Sequence, residues 1–134
     1  MMKKILWVSI LVLSFNTQLL AEVYYCLDIE ASGFQFRNGK YNDQKYIPEK
    51  FKAKIDFDAG IFASKDINMD YKVNCMSRIS DKTAMTCASP YGEIFTIEGN
   101  EGKKISMDTF NYVRAKTYGR KDSILVAYGN CEKF

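Results

Sequence analysis

The chain has 134 residues with 19 basic and 16 acidic side chains, a formal charge of +3, nine tyrosines, nine phenylalanines and no histidine. Without histidine there is no Ser-His-Asp or Cys-His catalysis, no imidazole metal ligand and no proton switch of the usual kind near neutral pH. Basic and acidic residues alternate along most of the chain, so it lacks the concentrated cationic surface of a dedicated nucleic-acid binder.

At the N-terminus, Lys3 and Lys4 precede an apolar run from Ile5 to Phe15 broken only by Ser9 and Ser14. This is the layout of a signal peptide, and the run is too short to span a bilayer. Leu19-Leu20-Ala21 places a small residue before Glu22, so the expected division is a leader helix over 1–21 and one mature domain over 22–134. Losing the leader removes two of the basic residues and no acidic one, lowering the formal charge to +1. Cys26 follows the bulky residues Val23, Tyr24 and Tyr25, which do not suit lipid attachment at the cleavage point. A soluble periplasmic or secreted product is expected.

Period-two alternation dominates the remainder. Val23, Tyr25, Leu27 and Ile29 alternate with Tyr24, Cys26, Asp28 and Glu30 in a first strand. Residues Tyr46 to Glu49 read as an extended connection, because Pro48 and the residue before it disfavour helix. In Lys50 to Asp58 the alternation is nearly perfect: Phe51, Ala53, Ile55 and Phe57 take one face, and Lys50, Lys52, Lys54, Asp56 and Asp58 the other. Met69, Tyr71, Val73 and Cys75 mark a further strand. Later strands are expected over Glu93–Glu98, Lys103–Met107, Thr109–Thr117 and Ser123–Asn130. Turn chemistry at Asn38-Gly39, Ala59-Gly60, Pro90-Tyr91-Gly92, Gly99 to Gly102 and Gly119 to Asp122 separates them. The expected fold is all-β, a small antiparallel barrel or sandwich of about seven to nine strands.

Four cysteines in an exported domain imply two disulfides. Cys75 and Cys87 are symmetric about Asp81, so a hairpin turning over Ser80, Asp81 and Lys82 would set them opposite each other, within disulfide reach. Cys26 and Cys131 would then join the first and last strands. No pair has the Cys-x-x-Cys spacing of a zinc or redox site.

Candidate chemistry is sparse. Asp56, Asp58 and Gly60 begin like a calcium loop, but Ile67 stands where its closing glutamate is required, so a hairpin turn with solvated acids is expected. The acid pairs Asp28 with Glu30, and Glu98 with Glu101, are the available carboxylates for acid/base work. Neither comes with a recognisable pocket, and no catalytic residue, cofactor or metal site is assigned. The row Lys50, Lys52, Lys54 could meet an acidic partner or simply solubilise a strand's outer face. Arg114, Lys116, Arg120 and Lys121 form a second basic group.

The ends Val23-Tyr24-Tyr25-Cys26 and Tyr128-Gly129-Asn130-Cys131-Glu132-Lys133-Phe134, with Gly33-Phe34 and Pro48-Glu49-Lys50-Phe51 between them, resemble those of small uncharacterised exported bacterial proteins. A more distant similarity is to the periplasmic inhibitors of C-type lysozyme, small barrels with a Tyr-x-Cys opening and a late cysteine. Their inhibitory-loop motif is poorly matched by Ala31-Ser32-Gly33-Phe34 and Ser89-Pro90-Tyr91-Gly92, so no functional residue carries over. The resulting expectation is a non-catalytic binding, accessory or inhibitor domain whose partner is a protein or envelope component. The alternatives are a carrier of a small apolar ligand inside the barrel and, behind it, a carboxylate-based hydrolase.

Overall fold

The computed structural model describes residues 22–77, 83–99, 104–117 and 123–134, without the side chains of 70–72 and 77. The expected leader over 1–21 and the hairpin turn at Ser80 to Lys82 lie outside these residues, as do most of the turns expected at Gly99 to Gly102 and Gly119 to Asp122. Among the described residues nine strands occur, in chain order: β1 (Glu22–Arg37), β2 (Lys40–Lys45), β3 (Lys50–Asp56), β4 (Ile61–Ser64), β5 (Met69–Ser77), β6 (Ala84–Ala88), β7 (Glu93–Glu98), β8 (Thr109–Thr117) and β9 (Ile124–Lys133). All pairings are antiparallel. β1 and β3 to β9 close into an eight-stranded barrel through β1 against β9, and β2 is added outside the ring on β1.

β1 serves two neighbours along one edge. Its first half, Glu22 to Leu27, pairs with β3; its second half, Ser32 to Arg37, pairs with β2. The handover coincides with a bulge between Asp28 and Glu30 in the β1–β9 ladder. Ile29 stays on the outward side with Leu27, 55% exposed, and the bulge turns Glu30 outward as well, so that Ala31 is the next buried residue. At this corner the Asp28 N–H donates to the Glu49 carbonyl and the Tyr46 N–H to the Ala31 carbonyl, each at 3.0 Å. Tyr46 to Glu49 is the irregular connection expected of its proline.

Inward residues pack as an aromatic core. Phe62 and Phe95 stack with centroids 4.4 Å apart, Phe95 and Tyr112 at 4.8 Å, and Phe51 meets the latter two edge-on. Tyr24, Phe57 and Phe110 form a second ring cluster. Offset and edge-on rings of this kind fill a small barrel from within. In β3 the alternation is realised as read: Phe51, Ala53 and Ile55 are buried, and Lys50, Lys52 and Lys54 are exposed.

Both disulfides form as expected. Cys26 is directly opposite Cys131 across β1 and β9, and Cys75 is opposite Cys87 across β5 and β6, with Cα separations of 4.1 and 4.0 Å. At the β3–β4 turn, Asp56 Oδ1 accepts from the N–H groups of Asp58 and Ala59 at 3.1 and 2.9 Å, which is turn capping.

One expected strand is corrected. Over Lys103–Met107, the described residues 104–106 have no regular structure. β8 already has β7 on one side and β9 on the other, leaving no edge for this segment. The Met107 carbonyl is instead taken by the Tyr24 hydroxyl at 2.7 Å. β9 also runs three residues beyond the expected Asn130, so that Cys131 lies inside the ladder.

Candidate functional site

Two constellations stand out, one inside the barrel and one outside. Inside, Asp28 continues the inward face of Tyr24 and Cys26 just before the bulge in β1, with a side chain fully removed from solvent. Arg114 on β8 grips it with both arms, Nε donating to Oδ1 at 3.0 Å and Nη2 to Oδ2 at 2.6 Å. The Tyr112 hydroxyl donates to Oδ1 at 2.7 Å and the Glu49 N–H to Oδ2 at 3.0 Å. Arg114 Nη2 also donates to Glu49 Oε2 at 2.9 Å, and its guanidinium sits 5.5 Å from the Phe51 ring centroid.

This is a saturated bidentate pair, the geometry in which a buried charge is retained at tolerable cost. Burial alone would raise the Asp28 pKa, but the hydrogen bonds from Arg114, Tyr112 and the Glu49 backbone outweigh it and hold the carboxyl below its usual range. Burial, followed by the bond to Asp28, pushes the Tyr112 hydroxyl far above the normal tyrosine range. For Arg114, burial favours deprotonation, but Asp28 and Glu49 more than compensate and raise its pKa. An acid with a lowered pKa and four donors on its two oxygens is a poor proton donor and a poor base. The cluster fastens β1, β8 and the connection leading into β3 together at one corner.

The structure separates the other acids considered. Asp28 faces in and Glu30 faces out across the bulge, so they do not form a pair. Glu98 is exposed, and Glu101 lies outside the described residues. The second basic group is not a surface patch in its described part. Arg114 is buried on Asp28, and Lys116, with a side chain 13% exposed, approaches Glu93 at 3.9 Å. Sequence spacing missed the Asp28–Arg114 pair because 86 residues separate its members. Parity carried the signal: Asp28 shares a face with Tyr24 and Cys26, and Arg114 with Phe110 and Tyr112.

Outside, β9, β1 and β3 carry a groove of about 450 Å3 lined by Tyr25, Leu27, Lys50, Lys52, Asp66, Asn130 and Glu132. Lys52 Nζ lies 5.5 Å from the Tyr25 ring centroid, and Phe134, 83% exposed, packs edge-on against the same ring with centroids 5.2 Å apart. Lys54 does not line this groove; it borders an adjoining one with Val23, Lys52, Ala63, Ser64, Lys65 and Asp66.

The wall between the two grooves has a local cause. β4 pairs with β3 only from Lys54 onward, because the β4–β5 ladder shifts register between Phe62 and Ser64. Side chains replace the missing ladder at Lys52: Asp66 Oδ2 accepts its N–H at 2.8 Å, and the Ser64 hydroxyl donates to its carbonyl at 2.6 Å. The Lys65–Asp66 turn is thereby held over β3, with all three lysines of the row left facing solvent.

No group of three or more His, Cys, Asp or Glu side chains suited to hold a metal ion occurs among the described residues. Nor is any helix among them long and apolar enough to cross a membrane. No protein-family model matches the chain, and no curated protein matches it in sequence.

Proposed function

We propose that the chain is an exported, non-catalytic binding domain that engages an acidic partner protein through the lysine-bordered groove outside β1 and β3. The observation that carries this reading is the combination on one face of Tyr25, Leu27 and Phe134, all exposed, with the solvent-facing row Lys50, Lys52 and Lys54. Aromatic anchors beside cations suit a protein surface presenting carboxylates around an apolar contact. The aromatic filling of the barrel favours a contact on the outside over a small molecule carried within. The saturation of Asp28 favours binding over carboxylate-based hydrolysis. Two disulfides suit an oxidising compartment, and the leader over 1–21 would take the chain to the periplasm or beyond it.

The test is site-specific photocrosslinking in the envelope of the source cell, with the photoreactive residue placed at Leu27 in the groove or at Met76 on β5. Discrete protein adducts are expected from Leu27, not from Met76, and are expected to vanish when Lys50 and Lys52 are both changed to Glu. Equal labelling from the two positions, or adducts indifferent to the charge reversal, would overturn the proposal.

A further inference from the structure

β2 stands outside the closed ring, and its one strand neighbour among the described residues is β1. The two form a tight hairpin through Asn38 and Gly39, whose φ angles of 53° and 79° suit a two-residue turn that matches strand twist. In an antiparallel ladder alternate residues turn both backbone groups to the same side. The Tyr46 N–H reaches the Ala31 carbonyl at 3.0 Å, so Asn42, Gln44 and Tyr46 face β1. Tyr41, Asp43 and Lys45 therefore direct their N–H and C=O groups to the unpaired edge, a template for another strand.

The side chains along this edge are complementary to themselves. Asp43 and Lys45 are exposed, and neither has an ion-pair partner among the described residues. Tyr41 is 44% exposed and Ile47 is 87% exposed. Pro48 holds Ile47 extended and, lacking an N–H, ends any further pairing.

We propose that β2 pairs with β2 of a second copy of this chain, antiparallel about a two-fold axis through Gln44. That register sets Asp43 opposite Lys45 of the second copy, twice over, and Tyr41 opposite Ile47. Shifting the axis to Asp43 or to Lys45 would face like charges, and shifting it to Asn42 would set Asp43 against Tyr41. Of these, only the Gln44 axis sets Asp43 and Lys45 each against its opposite. Gln44 Nε2 covers the Lys45 carbonyl at 2.7 Å in a solvent-exposed bond, which exchanges for a backbone bond at little net cost. The result is a continuous sheet through both copies, an isologous contact of the commonest symmetry. The groove beside Tyr25 belongs to the other half of β1 and stays open.

Sedimentation equilibrium of the protein expressed from its whole coding sequence tests this. A reversible dimer is expected in the micromolar range. Asp43→Lys and Lys45→Asp should each raise the dimer dissociation constant roughly tenfold or more, by replacing two cross-strand attractions with two repulsions. The double exchange, with Lys at 43 and Asp at 45, should restore it to within about threefold of the wild type, since each charge again meets its opposite. Asp43→Pro, which removes an N–H that β1 does not use, should weaken the dimer while leaving the melting temperature of the monomer in place. A monomer at every concentration, a dimer blind to the single exchanges, or a double exchange that fails to rescue would overturn the proposal.

Discussion

Gly129 stands directly opposite Asp28 in the β1–β9 ladder and directly opposite Tyr112 in the β8–β9 ladder. It is the gap through which the Tyr112 hydroxyl reaches the carboxylate. A Cβ at this position would lie 2.6 Å from that hydroxyl and closer still to the Leu27 carbonyl. Gly129→Ala should therefore force the ladder apart and loosen the bond to Asp28 together, costing about 3 kcal/mol from overpacking and a strained buried hydrogen bond. Gly39→Ala has open space around its Cβ and should cost only about 1 kcal/mol, from a backbone at φ 79°. Urea midpoints of the two variants should separate accordingly; equal midpoints would mean that the barrel yields at Gly129.

Asp28 also sets an acid limit to stability. Its pKa in the folded chain is lowered, so the stabilisation is present above its ordinary value near 4 and is lost as pH falls through the lowered folded value. Asp28→Asn keeps the shape but leaves Arg114 buried with Glu49 alone, a loss of about 3 kcal/mol at neutral pH. The gap between variant and wild type should narrow below about pH 4, where the wild type surrenders its own charge. Unfolding midpoints from neutral pH to pH 2 would show this convergence, and a constant gap would detach the charge of Asp28 from the effect.

Strands with an apolar face were legible because the alternation in Lys50 to Asp56, Glu93 to Glu98 and Thr109 to Thr117 reports burial on one side of a sheet. β2 was not, since Lys-Tyr-Asn-Asp-Gln-Lys lies outside the barrel and buries neither face enough to leave an apolar pattern. β4 is four residues long, too short for a period to declare itself. Cysteine symmetry located the Cys75–Cys87 bridge and left Cys26 to Cys131, yet said nothing of the bulge after Asp28, which arises where β1 exchanges β3 for β2. The lysine row was legible as a face. Its junction with Tyr25, Leu27 and Phe134 depends on β3 and β9 flanking the same half of β1, which only the closed topology supplies.

The two disulfides should differ in weight. Cys26 and Cys131 are 105 residues apart and Cys75 and Cys87 only 12. Chain-entropy reasoning gives about 5 kcal/mol for the long loop and about 3 kcal/mol for the short one. The long bridge also joins β1 to β9, the pair that closes the barrel. Replacing both cysteines of each pair with Ala, so that no free thiol remains, should lower the melting temperature more for Cys26 with Cys131 than for Cys75 with Cys87. The opposite order would place the weak point of the barrel at β5 and β6.

An alkaline limit should mirror the acid one. Tyr24 is wholly buried between Phe57 and Phe110, and its hydroxyl donates to the Met107 carbonyl at 2.7 Å. Burial, reinforced by the negative charges of Glu22 and Asp108, raises its pKa to about 12. With the folded value above the unfolded one, its stabilisation is fully present below about pH 10 and is lost as pH climbs toward 12. Tyr112 is raised as well, so two of the nine tyrosines should ionise only as the barrel opens. An alkaline titration followed by tyrosinate absorbance and far-ultraviolet circular dichroism should show the last part of the absorbance rise coinciding with loss of strand signal. Tyr24→Phe should cost about 1 kcal/mol at neutral pH, by leaving the Met107 carbonyl without its donor. The same variant should shift alkaline unfolding upward relative to its own neutral stability, because one ionisation no longer drives it. If all nine tyrosines titrate together while the sheet is intact, neither ring is held as the hydrogen bonds to Met107 and Asp28 require.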